Sequence, residues 1–480
     1  MPSSTPHLQL LIAHYLATNY PAVLEPFLEA AQIPSPNLIA PPSPDLRTLV
    51  QDYVSHHLAQ DMDTVSLEDG GVIPATDGSW RGWTLADMLK VEMPLDTRLN
   101  GLRRSLEGIS ASNLLTVHVG GVPKREFDTT SASYQASYPL CIITTSVDKN
   151  ITIIDYESGE ASDLDRILQP HRAAVLAFAL HPINARYLVT GSIDGTTILT
   201  DLITSQPLQT FRSSKFVVRV AFSPDGRYLA TASYDHHIVI YSASSPATPP
   251  EPDEDDMPLD GTDDRALACE PELRYTEVRR IKVDSNPEAI LFHPDSNWLM
   301  YTVRASHLLH YIHLHDGQTR TKSFNPHPMD THVSFAILNL ALHPSGRIIA
   351  CQTGDHRGGS GERVLLYGVE PDETERLACL WTGNEGDDFV LPRMAWLPDG
   401  SGLMFVQMEK QEADERTTTS NGYLNLITLR GETRSSVKIH GASDLGQASS
   451  EVVRDCCIVT EHGQWEVVSV GYDRRVRICR

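Results

Sequence analysis

The sequence lacks the cysteine and hydrophobic patterns that mark disulfide-rich or membrane-spanning proteins. Its seven cysteines form no CxxC pair, and four of them, Cys141, Cys351, Cys456 and Cys457, lie in apolar runs. We expect buried free thiols, which suit a reducing compartment, although the adjacent Cys456 and Cys457 leave a redox pair as an alternative. No apolar run reaches the length of about 18 residues that a membrane helix needs, so we predict no membrane span.

Positive charge is also scarce. The chain has 39 Lys and Arg against 62 Asp and Glu, which gives a formal net charge of −23. Such a balance disfavours nucleic acids and anionic membranes as primary partners, because the summed field repels them. The expected partners are therefore proteins, and the negative charge allows a basic protein among them.

Signatures of catalysis are missing as well. The sequence contains neither HExxH nor GxSxG, and the glycine-rich stretch 354–363 lacks the GK[ST] of a phosphate loop. Four histidines fall within 307–315, and His313 and His315 would share one face of a strand, but no carboxylate or cysteine stands at matching spacing. We therefore predict that the protein is not an enzyme and that it has no catalytic, cofactor-binding or metal-ligating residues.

What the sequence does contain is a repeat. Residues 222–243 read FSPDGRYLATASYDHHIVIYSA, in which a proline turn and an Asp-containing turn separate apolar strands. The proline turn recurs at five positions, Pro182, Pro224, Pro294, Pro344 and Pro398. Two further units, which begin at Cys141 and Glu466, keep only the second half of the pattern. The chain thus holds seven related units, and the quoted stretch belongs to the third.

The spacing of the units indicates their structure. Pro182 and Pro224 are 42 residues apart, and a period of about 40–45 residues is typical of four-stranded propeller blades. The next interval is longer because a Pro-rich, acidic insertion intervenes; its part from 251 to 272 holds ten Asp or Glu against one Arg. We expect a disordered loop over 243–273, because such a composition buries too little apolar surface to fold.

These units resemble the WD-repeat family, which implies an all-β, seven-bladed β-propeller over 111–480. In that family a turn aspartate bonds a histidine, a hydroxyl and a tryptophan on the third strand of the blade. The usual GH and WD dipeptides are absent from their expected places here. The position of the tryptophan is filled by Ile154, Thr200, Tyr241 and Cys479. The structural residues that the resemblance implies are the aspartates Asp148, Asp194, Asp235, Asp355 and Asp473, the hydroxyls Ser146, Ser192 and Ser233, and His171.

The resemblance also implies a partner-binding face. This face is formed by the residues just before each turn aspartate and by those at the start of each inner strand. Aromatic and arginine side chains at these places would anchor an interface. Arg219 and Arg393 occupy the same register of their units, which favours a shared surface; ordinary packing at the rim is the alternative. The candidates are Phe216, Arg219, Tyr234, Phe389, Arg393 and Tyr472, with Val147 and Ile193 at equivalent positions.

Closure of the ring requires one more strand. The last unit stops at its third strand, RVRICR, and 113–121 has strand character before the first complete unit. We expect 114–119 to dock as the outer strand of the last blade, because this pairs an otherwise open edge. Upstream, the sequences WTLADMLKVEM and LDTRLNGLRRSLEGI predict two short helices, which either sit on the propeller or form a second partner site.

The first 34 residues predict a helical hairpin rather than a signal peptide, since no basic residue precedes LQLLIAHYLA. The pattern resembles a LisH motif, which implies homodimerisation through 7–31. Packing on the propeller of the same chain is the alternative, and 35–110 is predicted to be a Pro-rich linker with helical segments. The residues that match the motif are Ile12, Tyr15, Leu16, Tyr20 and Phe27, whereas Asn19 replaces its usual glycine.

Together these features predict a non-enzymatic scaffold or adaptor in a multiprotein complex, in the eukaryotic cytoplasm or nucleus. Proteins of similar architecture act in ubiquitin-ligase, motor-regulatory and transcription or RNA-processing assemblies, but a shared fold does not fix a function. The alternative is an acidic escort of a basic client such as a ribosomal protein or histone, which the net charge and the 251–272 stretch motivate.

Overall fold

A computed structural model of the chain divides into two compact units, Met1–Gly71 and Val72–Arg480. The predicted acidic loop and Phe389 lie outside the described residues, as does Tyr20. The residues that the structure describes are 12–13, 15–17, 21–31, 80, 82–128, 133–157, 164–244, 273–304, 306–325, 335–355, 363–382, 393–414, 417–440, 453–461 and 464–480.

The first unit is helical where it is described. Helix α1, Pro21–Ala30, follows helical residues at 12–13 and 15–17. Ala13 and Leu28 are buried together, and Leu24 and Phe27 pack against them. The two helical stretches therefore share one apolar face, as their spacing predicts.

The second unit is a seven-bladed β-propeller, which confirms the predicted fold class. Each blade is a four-stranded antiparallel sheet. The first four blades contain, in chain order, β2 (Leu114–Gly121), β5 (Leu140–Ser146), β6 (Ile151–Asp155) and β7 (Leu164–Leu168); β8 (Val175–Leu180), β9 (Tyr187–Ser192), β10 (Thr196–Asp201) and β11 (Gln206–Arg212); β12 (Val217–Phe222), β13 (Tyr228–Ser233), β14 (His237–Ala243) and β15 (Tyr275–Lys282); and β16 (Pro287–Phe292), β17 (Trp298–Val303), β18 (Leu308–His313) and β19 (Thr319–Ser323).

The remaining three blades complete the ring, and a separate hairpin projects from blade 1 between β2 and β5. Their strands are β20 (Phe335–Leu342), β21 (Ile348–Asp355), β22 (Arg363–Gly368) and β23 (Arg376–Trp381); β24 (Met394–Trp396), β25 (Gly402–Asp414), β26 (Thr417–Thr428) and β27 (Thr433–His440); β28 (Val453–Glu461), β29 (Gln464–Gly471), β30 (Val476–Cys479) and β1 (Leu102–Leu106); and the hairpin strands β3 (Lys124–Asp128) and β4 (Ser133–Ser137).

The burial of each strand follows its place in the blade. A middle strand such as β9 is buried at every residue, because neighbouring blades cover both of its faces. An outer strand such as β11 has exposed and half-buried residues and a polar sequence. This gradient explains why the apolar runs in the sequence mark the middle strands most clearly.

The hydrophobic core lies between the blades. Seven clusters of buried side chains occur among the described residues of the propeller, one between each pair of neighbouring blades. The cluster between blades 7 and 1 joins Val468 and Ile478 to Leu114 and Ile142. The ring is therefore closed by packing as well as by strand pairing.

The predicted closing strand is wrong. β1, Leu102–Leu106, pairs with β30 and completes blade 7, whereas β2, Leu114–Gly121, is the innermost strand of blade 1. The burial patterns give the reason: β2 begins with four buried residues, as an inner strand must, and β1 begins with two exposed ones, as suits an outer edge. The helix predicted over LDTRLNGLRRSLEGI is accordingly wrong over β1.

The other predicted short helix is present. Helix α2, Leu85–Leu89, begins after a capping box in which Thr84 and Asp87 bond each other's side chain and backbone. Met88 is buried between blades 5 and 6. The chain then passes Met93 and Leu99, which are buried between blades 6 and 7, before it enters β1. We call Trp80–Leu106 the strap, since it runs along three blades and ends as the closing strand.

Candidate functional site

A tight hydrogen-bonded turn follows the second strand of blade 2. The carboxylate of Asp194 accepts bonds from Thr196 Oγ1 (2.6 Å) and from the backbone N–H of Arg172 (2.8 Å), and lies 3.4 Å from Nδ1 of His171. Burial acts to raise the pKa of Asp194, but these bonds outweigh it and the pKa is lowered. The hydroxyl of Ser192 donates to the carbonyl of Ala174 at 2.9 Å. The carboxylate thus ties its turn to the chain entering β8.

Two other turn aspartates, Asp148 and Asp235, tie their turns to the entering chain through different partners. Asp148 accepts from Ser110 Oγ at 2.9 Å, and Asp235 accepts from the backbone N–H and the hydroxyl of Ser214, both at 3.1 Å. The hydroxyls of Ser146 and Ser233 bond Asp148 and Asp235. Asp473 accepts from Arg477 at 3.1 Å, and Asp355 ends β21. Ser110 of blade 1 therefore stands where blade 2 has His171, and Ser214 of blade 3 stands where blade 2 has Arg172.

These turns fix the residue that precedes each aspartate. The backbone N–H of Tyr234 donates to the carbonyl of Phe216 at 2.9 Å. In blade 4, where no aspartate follows, the N–H of Arg304 at the equivalent position donates to the carbonyl of Asn286 at 2.7 Å. Val147 and Ile193 make the same bond in blades 1 and 2. Four consecutive blades therefore present an equivalent residue on one face, which we call the rim face; Phe216 is 46% exposed there.

In six of the seven blades, a β-bulge near the rim face is present in the described part of the inner strand. The pairing register of the inner strand shifts close to its start in blades 1–5 and 7. A bulge turns the following side chains and is typical of functional positions. The residues directly after it are Thr116, Ala177, Arg219, Ala289, Asn339 and Asp455.

Arg219 and Arg393 meet at the central channel. Both line a cavity of about 320 Å³, together with Asp455 and with Thr116 and Ala177 of blades 1 and 2. The sequence placed the two arginines in equivalent registers of blades 3 and 6, and the structure brings them to one cavity. We call this cavity the channel mouth.

The electrostatics of the channel mouth are unusual for an acidic protein. Burial, and then the charge of Arg393, lower the pKa of Arg219 to about 9. Burial and Arg393 likewise lower the pKa of Arg454, the bulged residue before Asp455. Burial raises the pKa of Asp455, whose oxygens accept from the N–H groups of Val117 (3.1 Å) and Cys456 (3.0 Å). With a pKa of about 9, Arg219 remains positively charged at neutral pH.

Sequence reasoning missed a second set of residues beside Tyr234. Arg304 Nε donates to Glu288 at 2.6 Å, its guanidinium lies 5.7 Å from the centre of the Tyr234 ring, and its Nη2 lies 3.4 Å from the phenol oxygen. Glu288 is buried. The available signal was the fourth unit, in which VRASH replaces the Asp turn and places an arginine at the rim position.

Other predicted residues fall into several groups. Tyr472 is half-buried and faces Arg454. Cys456 and Cys457 project into different interblade clusters, so the two thiols are separated by the strand. No disulfide bond joins any of the six described cysteines. His313 bonds Asp316 at 2.6 Å, and the described part of the chain contains no group of three or more His, Cys, Asp or Glu placed to hold a metal.

Among the described helices, none has the length and apolar character to cross a membrane.

Comparison with known proteins is consistent with this architecture. The family described as WD domain, G-beta repeat matches residues 205–242. Protein tipD of Dictyostelium discoideum is 27% identical over 107 residues, 21% of this chain and 17% of its own length. The guanine nucleotide-binding protein subunit beta of Oryza sativa subsp. japonica is 28% identical over 166 residues, 32% of this chain and 40% of its own. The aligned part therefore spans less than half of each relative. With the ring of seven blades, these matches support a WD-repeat β-propeller.

Proposed function

We propose that the chain is a non-enzymatic scaffold that binds partner proteins through the rim face of its propeller. The observation that carries this is the equivalent placement of Val147, Ile193, Tyr234 and Arg304 by one recurring backbone bond. Phe216 and Val147 add exposed apolar area to that face. Aromatic and arginine side chains set around a desolvated centre are the composition of interface anchors.

The comparisons favour the same class of function. One relative is by its name a subunit of a guanine nucleotide-binding protein, and hence part of an assembly. The identity of the partners would decide the type of assembly in which the chain acts. The candidates are ubiquitin-ligase, motor-regulatory and transcription or RNA-processing assemblies. The acidic stretch that motivates an escort function lies outside the described residues, so we do not adopt that alternative.

Quantitative co-purification from cell extract tests the scaffold. Phe216→Ser changes an exposed residue on the rim face, and Ile183→Ser changes an exposed residue in the turn after β8, at the opposite end of the ring. We expect a defined set of proteins to be depleted with Phe216→Ser and retained with Ile183→Ser. Equal recovery with both variants would argue against the rim face.

We further propose that the N-terminal unit dimerises. Phe27 and Leu24 pack at the edge of a small cluster in which Ala13 and Leu28 are buried, and Val23 is 52% exposed. Two short helices of this size are marginal alone and gain stability from a second copy. Light scattering across micromolar concentrations should give twice the chain mass, and Phe27→Asp should give the monomer mass. A monomer at every concentration would contradict the dimer.

A further inference from the structure

The second and third strands of blade 6 are the longest strands that the structure describes. β25 has 13 residues and β26 has 12, whereas the second strands of the other six blades have six to eight. The two strands stay in antiparallel register from Gly402↔Thr428 to Asp414↔Thr417. β25 begins after the turn at 398–400, at the opposite end of the ring, so its extra length lies at the rim-face end.

This extra length forms a two-stranded ribbon. The inner strand β24 pairs with β25 at 403–405, and the outer strand β27 pairs with β26 from Gly422 to Ile427. Over 409–414 and 417–421, which we call the ribbon, β25 and β26 pair with each other and with no other described strand. At about 3.3 Å per residue, 417–421 extends about 17 Å beyond the last residue that β27 pairs with.

The two edges of the ribbon differ in composition. The β25 side reads EKQEAD, in which four residues are charged, Glu409, Lys410, Glu412 and Asp414. The β26 side reads TTTSN, which has neither charge nor proline and is rich in threonine, a residue that favours strands. Natural sheets protect exposed edges with charged residues or proline, because an open edge is a template for a further strand. The β26 side is therefore the edge whose composition admits another strand.

We propose that an extended, basic segment of a partner protein adds to the β26 side of the ribbon as a third strand. A two-stranded ribbon is marginally stable in water, and a third strand pairs the backbone groups of its open edge. The place for that strand lies in line with β27, whose pairing with β26 ends at Gly422↔His440. Charge selects a basic segment, because the ribbon carries three carboxylates against one lysine in a chain of net charge −23. The same carboxylates disfavour a second copy of the chain as the occupant.

Hydrogen exchange of the free, full-length chain tests whether the edge is open. In a two-stranded antiparallel ribbon every second backbone N–H of 417–421 bonds β25, and the others face away from it. We expect those others to exchange quickly in the free chain. Slow exchange at every position of 417–421 would show that the edge is already paired within the chain, and would overturn the proposal.

The probe for binding is a ten-residue peptide of alternating lysine and threonine, acetylated and amidated at its ends. Main-chain bonds supply the affinity of an added strand, so a simple alternating sequence suffices. Titration by calorimetry at low ionic strength should give saturable binding, and the complex should show slower exchange at 417–421. The control peptide has glutamate in place of lysine and should bind more weakly. Absence of saturable binding by the lysine peptide, or equal binding of both peptides, would overturn the proposal.

The inference rests on the proposed scaffold function for its class of ligand, a protein segment, but its site on blade 6 is separate from the rim-face residues of blade 3. Phe216→Ser should therefore bind the lysine–threonine peptide as the wild type does. Failure of the peptide to bind would leave the outcome of the co-purification test with Phe216→Ser and Ile183→Ser unaffected.

Variants locate the binding on the ribbon. Thr419→Pro removes a backbone N–H and should weaken peptide binding about 10-fold or more, the value of one or more main-chain hydrogen bonds. Thr419→Val is the matched control, because it keeps the N–H and the branched shape, and it should bind as the wild type does. Both variants should melt as the wild type does, since the core of blade 6 lies below the ribbon, at Phe405, Val406, Leu424 and Leu426. Equal binding by Thr419→Pro and Thr419→Val would contradict a strand added at this edge.

Discussion

The Nε2 atom of His343 lies 3.3 Å from the carbonyl oxygen of Gly400, in the equivalent turn of the next blade. His181 and Gly226 repeat this relationship between blades 2 and 3, also at 3.3 Å. The histidine belongs to the proline turn that recurs in the sequence, and the glycine closes the next such turn. The repeat thus encodes a bond between blades as well as a strand pattern.

Glycine is required at position 400 for two reasons, the close approach of the His343 ring and the left-handed conformation of its own backbone. Its φ is +71°, and a Cβ placed there would collide with the His343 ring. Gly400→Ala should therefore destabilise the chain by about 2–4 kcal/mol, the sum of left-handed strain and overpacking. Gly82→Ala is the matched control, because Gly82 has φ +86° and open space around it, so only about 1–2 kcal/mol is expected. Urea unfolding measures both; equal losses would show that the contact with His343 has no cost.

His343 should make stability depend on pH in the acid range. Burial lowers its pKa to about 4. The unfolded chain takes up this proton near pH 6.5 and the folded chain only near pH 4, so stability is full above pH 6.5 and falls as the pH drops towards 4. The loss reaches about 3 kcal/mol. Other buried histidines act in the same direction, so the test is the difference between wild type and His343→Gln, which should lose less stability between pH 7 and 5. Parallel pH profiles would contradict the assignment.

Lys322 should act in the alkaline range with the same sign. It is fully buried, its Nζ donates to the carbonyl of Gly368 at 2.6 Å, and burial lowers its pKa to about 8. Between about pH 8 and 10.5 the unfolded chain holds a proton that the folded chain has released, so this group raises stability as the pH rises. Buried tyrosines and cysteines oppose it, because their pKa values are raised. Relative to Lys322→Met, the wild type should gain up to about 3 kcal/mol between pH 7.5 and 10; no relative gain would show that the buried lysine keeps its proton and that burial does not lower its pKa.

The outer strand β1 should carry a separable part of the propeller's stability. Three chains that begin at residues 72, 100 and 107 remove in turn the N-terminal unit, the first part of the strap, and β1. The last step removes the bond of Arg103 to Glu466 and the burial of Leu106. We expect it to lower the melting temperature by several degrees, because it opens the edge of blade 7. Identical melting of the second and third chains would contradict closure by β1.

The sequence was sufficient to predict the number of blades, because the proline and aspartate turns recur at readable positions. It was insufficient for the closing strand. LRRSL is short, polar and flanked by helical spacing, so nothing local distinguishes an outer strand from a helix, and only the unpaired edge of β30 selects it.

The channel mouth was predictable in part. Arg219 and Arg393 stand at the same distance before a turn proline, which a sequence shows directly. Arg454 and Asp455 precede no proline turn, so no sequence landmark fixes their register. A bulge also adds one residue to the inner strand, so the direction of their side chains could not be predicted by counting residues along the chain. Arg304 and Glu288 meet through pairing between β16 and β17, a contact that a turn-based pattern does not contain.

Hydrogen exchange on the complex with a co-purified partner tests the rim face most directly. Partner binding should slow exchange of the backbone N–H groups at 213–219, 234–236 and 304, which lie at the rim end of blades 3 and 4. The turns at 181–184 and 398–400, at the opposite end of the ring, should exchange as in the free chain. Protection confined to those opposite turns would contradict the account of the rim face as the binding surface.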